Sequence, residues 1–139
     1  MGRKRRARRL VKAVDTNILV RVLMRDTPAQ TEAAERALKA GAMIPLTVLL
    51  ETGWVLSSRY GLSRVDIADA LSTLIDLPGV VVPEADAVRW ALGRFTEKGD
   101  LGDLLHLAAS AGATAFQTFD RRFAKTVGDT SPLAVETLG

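Results

Sequence analysis

The sequence predicts an α/β fold, a central parallel sheet covered by helices on both faces to make a three-layer α/β/α sandwich. Three observations predict it. Short apolar runs alternate with longer stretches of helical periodicity, which implies parallel strands joined by right-handed crossovers. Stops at Gly41, Gly61, Pro78-Gly79, Lys98-Gly99 and Gly112 separate the periodic stretches. The chain has 139 residues and is 47% hydrophobic, enough for one domain with a real core and too short for two.

Residues 10–14 read as the first strand, short and buried. A helix follows over residues 17–24, with Ile18, Leu19, Val22 and Leu23 on helical spacing. Asp26-Thr27-Pro28 is a break; Thr27 suits the cap of the next helix and Pro28 its first turn. Residues 29–40, rich in Ala, Glu, Arg and Lys, form that helix, and Gly41 stops it. Residues 42–45 are the second strand. Thr47 is expected to cap an apolar helix over residues 48–59, which closes at Gly61 and contains Glu51. Ser63 caps a helix to about residue 77, with Val65, Ile67, Ala68, Leu71, Leu74 and Ile75 as its buried face. Residues 80–82 are the third strand, and Pro83 leads into a helix over residues 85–97. A helix over residues 100–111 opens on two carboxylates three positions apart. Residues 115–119 are the fourth strand, followed by Asp120 and a short helix through Lys125; residues 133–136 are the expected fifth.

The composition excludes several chemistries. There is no cysteine, so disulfides, thiolate zinc sites and a thiol nucleophile are ruled out. One histidine, His106, cannot build a histidine-rich metal centre. Any metal must be held mostly by oxygen, which favours Mg2+ or Mn2+. No apolar run approaches a membrane span. The Arg-Arg-Leu-Val-Lys stretch is followed by Asp15, Asn17 and Arg21, which interrupt any export signal. A cytoplasmic protein is the expectation.

Charge is unevenly placed. Residues 1–12 carry seven basic side chains and no acid. Taking those seven from the 19 basic residues leaves 12 against 16 acidic ones, a net of −4. Residues 1–9 thus read as a basic arm on an acidic domain of residues 10–139, an asymmetry suited to nucleic acid and equally to a solvated tail.

Four acids carry the candidate chemistry. Asp15 ends the first strand and Asp120 the fourth, both at the carboxyl edge where open parallel sheets bind ligands. If those strands are neighbours, the two carboxylates face one crevice. Asp103 sits in the first turn of the helix that delivers into strand four. Glu51 lies among Leu49, Leu50, Trp54 and Val55 on a helix expected to be largely buried, where a carboxylate needs a partner. Carboxylates gathered in one pocket repel, and a divalent cation relieves them. Two such ions about 3.5–4 Å apart suit phosphodiester hydrolysis without histidine or cysteine. Each acid also has a plain structural role available. Asp15 or Asn17 caps a helix, Asp100 and Asp103 favour a helix N-terminus, Asp120 turns the chain beside Arg121 and Arg122, and Glu51 pairs with Arg59.

DTNIL after the first strand, a lone Glu in an apolar helix, GDLGDLLHLAAS and TFDRRF, in that order, resemble PIN-domain nucleases, closest to VapC-type toxins of bacterial toxin–antitoxin pairs. The resemblance runs over the chain from Leu10. It implies a strand order of 3-2-1-4-5 and a metal-dependent endoribonuclease whose ligands are Asp15, Glu51, Asp103 and Asp120. Asp100 matches a frequent further acid, Thr16 and Thr118 match polar residues flanking the site, and Asn17 is the usual third residue of the opening motif. Leu101 and Gly102 stand where an aromatic and a small residue are more usual, and the long arm is not typical of the family.

Other residues complete the expectations. His106, three positions after Asp103, reads as a partly buried or surface histidine rather than a general base. Trp54 and Trp90 read as core or interface anchors. Leu50, Trp54 and the helix over residues 65–75 offer more apolar surface than one small domain buries, so a homodimer is expected, with a groove for an antitoxin helix. Arg21, Arg25, Arg94, Arg121 and Arg122 are candidates for phosphate contacts or solvated charges. The competing reading is a non-catalytic RNA-binding or protein-interaction module that uses the basic arm. A phospho-accepting receiver domain shares the doubly wound fold, but it wants paired acids after strand one and an Asp after strand three; here Asp15 stands alone and Val82 runs into Pro83-Glu84.

Overall fold

The computed structural model describes residues 11–139. The basic arm and the expected strand residue Leu10 lie outside the described residues. Among these, five strands and seven helices alternate. The chain divides into two compact units, one ending at Pro83 and one beginning at Glu84.

The first unit contains β1 (Lys12–Ala13), α1 (Thr16–Met24), α2 (Pro28–Lys39), β2 (Ala42–Met43), α3 (Leu46–Ser58), α4 (Arg64–Asp76) and β3 (Val80–Val81). Its strands pair in parallel in the order β1-β2-β3, with Lys12 opposite Ala42 and Ala42 opposite Val80. Each strand is only two residues long, but Val14 N–H donates to Met43 O at 3.1 Å and Ile44 N–H to Val81 O at 2.9 Å, which carries the ladder one step further. Leu19, Ile44, Leu49, Leu56, Leu71 and Leu74 are fully buried and form the core. Gly41, at φ +97°, ends the α2 turn in a conformation that costs a side-chain-bearing residue energy.

Four expectations fail here: β1 is exposed rather than buried, Val65 is 52% exposed rather than part of the buried face of α4, and two more concern α3. Thr47 does not cap α3: the helix starts two residues earlier than expected, at Leu46, with Pro45 at the cap position and no side-chain cap bond. Proline fixes φ near −62° there without donating an N–H, so the start is set by backbone rather than by a hydroxyl. Glu51 is not buried. At about 100° per residue, Leu49, Thr52, Gly53 and Leu56 face the core, and Glu51 falls on the opposite side. Trp54 shares Glu51's side and is 55% exposed, so it is no core anchor.

The second unit contains α5 (Ala85–Glu97), α6 (Leu101–Ala109), β4 (Ala115–Thr118), α7 (Phe123–Val127) and β5 (Ala134–Thr137). β4 and β5 pair in parallel from Ala115 opposite Ala134 to Thr118 opposite Thr137, and Leu138 N–H adds a bond to Thr118 O at 2.8 Å. Leu107, Phe123, Val127 and Leu133 form an apolar cluster, with Trp90, Phe116 and Val135 packed on it. The rings of Phe116 and Phe123 are 5.6 Å apart and tilted by 54°. Trp90 therefore is the anchor its sequence suggested, and its Nε1–H donates to Thr130 Oγ1 at 2.9 Å. Gly99 closes the α5–α6 turn at φ +101°, where an added Cβ would lie 2.8 Å from Thr126 Cγ2. Among the described residues no helix is long and apolar enough to cross a membrane.

Candidate functional site

The first unit places Asp15 directly after β1, where its carboxylate caps α1: Ile18 N–H donates to Asp15 Oδ1 at 3.1 Å. That is the capping role its sequence allowed, and it uses one of two carboxylate oxygens. Thr16 is buried, and its hydroxyl donates to Glu51 Oε1. The hydroxyl thus fixes an otherwise exposed carboxylate, the partner that sequence alone did not assign to Glu51. Asn17 is exposed and, with Asp15, Ile18, Arg21 and Gln30, lines a cavity of about 400 Å³. Arg21 is held by its neighbours, with Nε donating to Gln30 Oε1 at 2.6 Å and Nη1 3.4 Å from Asp26 Oδ1. A larger cavity in this unit, about 510 Å³ and lined by Val22, Leu38, Leu77 and Pro78 with Arg25 and Glu35, contains none of the four acids.

The second unit gathers the other two. Asp100 caps α6, accepting from Asp103 N–H at 3.0 Å, so its oxygen orients the first turn that carries Asp103. Asp120 is fixed through its backbone: its N–H donates to Thr118 Oγ1 at 3.0 Å, and Arg122 N–H donates to Asp120 Oδ1 at 2.9 Å. Asp103, His106, Thr118 and Asp120 line one cavity of about 240 Å³ floored by Phe116 and Phe123. Partial burial, then the negative charge of Asp100, pushes the Asp103 carboxyl above its ordinary range. Asp120 adds to the rise, and His106 opposes it. His106 is exposed on α6, as its sequence suggested.

Arg94, a candidate for phosphate contact, is engaged by the protein itself. Its Nε donates to Thr126 O at 2.5 Å, Nη2 to Lys125 O at 3.4 Å, and Nη1 meets Glu97 at 2.9 Å. It closes the carbonyl end of α7. Arg121 and Arg122 are exposed and make no ion pair among the described residues.

Asp and Glu oxygens are the donors a hard divalent cation prefers, so the residues fit such an ion in kind. Yet among the described residues no group of three or more His, Asp or Glu stands together as a metal cluster. Asp15, Asp100 and Glu51 each accept a hydrogen bond from the protein.

Parallel sheets with intervening helices, with acids just past the ends of β1 and β4, make this an α/β protein. The chain belongs to the PIN domain family, whose model matches residues 12–128. PIN domains are generally nucleases and typically use divalent metal ions. No curated protein matches the chain.

Proposed function

We propose that the chain is a metal-dependent endoribonuclease that hydrolyses RNA phosphodiester bonds, the toxin of a bacterial type II toxin–antitoxin pair, with Mg2+ or Mn2+ as its ion. The observation that supports it best is Asp103. Its ionisation is opposed by partial burial first and then by the charges of Asp100 and Asp120, and a cation in the cavity they share with His106 would relieve that cost. The residues that would hold the ion are Asp15, Glu51, Asp103 and Asp120, those matching the family's acidic quartet. When bound, the ion supplies Lewis acidity toward a phosphate oxygen and lowers the pKa of an attacking water.

The chain's own groups prepare that chemistry. Thr16 positions Glu51, Asp100 positions the α6 turn bearing Asp103, and Thr118 positions Asp120. Arg121 and Arg122 are the cations available for phosphate. Arg21 and Arg94 are engaged by protein acceptors, so they are left out of the phosphate contacts. The family's fold supplies the finer architecture, a three-layer sandwich of strand order 3-2-1-4-5; the order β1-β2-β3 and the pair β4-β5 are consistent with it. The exposed Trp54 and Val65, at 55% and 52%, support a homodimer, and an antitoxin helix is the proposed protein partner of this cytoplasmic toxin.

Two observations favour the second reading, a non-catalytic RNA-binding module: the acids form no metal-binding group among the described residues, and the arm is strongly basic. Incubating purified protein with single-stranded RNA separates the two. Cutting in Mg2+ or Mn2+ that stops in EDTA supports the nuclease. Salt-sensitive binding without cutting supports the module.

A further inference from the structure

We propose that Phe119 is a stacking platform for an unpaired RNA base next to the Asp103–Asp120 cavity, an inference that rests on the nuclease reading. Phe119 is 77% exposed, the most solvent-exposed large hydrophobic side chain among the described residues. It is also held in place. Thr118 on one side accepts from Asp120 N–H, and Leu138 N–H donates to Thr118 O at 2.8 Å, so the backbone on which the ring stands is bonded to β5. Phe116 within β4 packs toward Phe123 and the core, whereas Phe119, one residue past the end of the strand, stands in solvent. The ring does not line the 240 Å³ cavity, which ends at Thr118 and Asp120. Its occupant would be a base neighbouring the phosphate at those acids, not the reacting nucleotide.

Charge decides between nucleic acid and a protein patch. Arg121, Arg122 and Lys125 are exposed within six residues of the ring and make no ion pair among the described residues. An exposed aromatic beside unpaired cations is the pairing that grips single strands: the ring takes a base face, and the cations take the backbone. A duplex keeps its bases stacked on each other and gains nothing from the ring.

The test measures binding of a short fluorescent single-stranded RNA, and of the same RNA as a duplex, by anisotropy in EDTA. It uses the full chain in an Asp103→Asn background, so the RNA stays whole and one repelling carboxylate is gone. Phe119→Ala should weaken single-strand binding roughly 5- to 150-fold and leave duplex binding unchanged. Phe119→Tyr and Phe119→Trp should retain the affinity, and Phe119→Leu, apolar but without a ring face, should not. A 2-aminopurine base in the strand should be quenched by the parent and not by Phe119→Ala. Equal single-strand binding by the parent, Ala and Leu forms overturns the platform. So does Phe119→Ala that dissociates an oligomer on size exclusion while RNA affinity stays unchanged, since the ring would then serve a second copy of the chain. A parent that binds no single-stranded RNA overturns the nuclease reading and the platform with it, whereas the first two outcomes leave the nuclease reading standing.

Discussion

The Thr16 hydroxyl donates a hydrogen bond to Glu51 Oε1, joining the first turn of α1 to the middle of α3 across 35 residues of sequence. Thr16 is buried and Glu51 exposed, so the donor is fixed by packing and in turn fixes the carboxylate. Thr16→Val keeps the shape and removes the donor. It should lower stability by about 1 kcal/mol in urea unfolding, at the modest end because water can solvate the freed carboxylate. It should also reduce kcat for RNA cleavage, and Thr16→Ser should restore both.

Asp103 carries a pH signature. Its folded-state pKa lies above the unfolded value, from burial first and the charge of Asp100 second. A raised value means that protonation favours the fold. The favourable contribution is complete below the ordinary aspartate pKa and disappears as pH rises through the elevated folded value. At neutral pH ionised Asp103 is therefore destabilising, and Asp103→Asn should melt at a higher temperature than wild type. The gain should vanish in acid, where wild-type Asp103 is already neutral. Thermal melts of both proteins across the carboxylate range check this; a variant that melts lower at neutral pH would contradict it.

Asp26 works in the opposite sense. The Tyr60 hydroxyl donates to Asp26 Oδ2 at 3.0 Å and, as the largest cause, holds the carboxyl below its ordinary range, with Arg21 contributing. A depressed folded value gives stability above the unfolded pKa that is lost as pH falls through the folded one. Tyr60→Phe should raise the Asp26 titration midpoint in an NMR pH series and leave RNA cleavage unchanged.

Arg94→Ala removes two hydrogen bonds at the carbonyl end of α7 and the ion pair with Glu97 on its own helix, and should cost about 1–3 kcal/mol of stability. Arg94→Lys should recover only part, because an ammonium cannot span the Thr126 and Lys125 carbonyls as a planar fork does. If Arg94→Ala instead kept its stability and lost RNA affinity, the residue would be a phosphate contact after all.

These results show what was legible beforehand. Every helix and strand was placed close to its observed position, because Gly and Pro stops bound each apolar period and caps such as Ser63 and Asp100 act where they stand. Asp15 was legible as both cap and candidate ligand, and the cap is what its oxygen does. Glu51 was misread as buried because α3 is apolar on both sides, so composition hid which side faces the core; the angle between Leu49 and Glu51 resolves it. The Thr16–Glu51 bond and the Arg94 clamp join residues distant in sequence, which local periodicity does not encode, whereas the approach of Asp103 to Asp120 follows from the helix that delivers into strand four. Phe119 was read only as the last residue of the fourth strand, and it lies one residue beyond β4.

The central claim is that these carboxylates serve metal-dependent RNA cleavage. The most direct measurement is cleavage of single-stranded RNA in Mn2+ by wild type beside Asp15→Asn, Glu51→Gln, Asp103→Asn and Asp120→Asn, each shown to be folded by circular dichroism. The prediction is wild-type cutting that EDTA abolishes and that every folded variant loses. A folded Asp103→Asn or Asp120→Asn protein that cuts at the wild-type rate would contradict the claim.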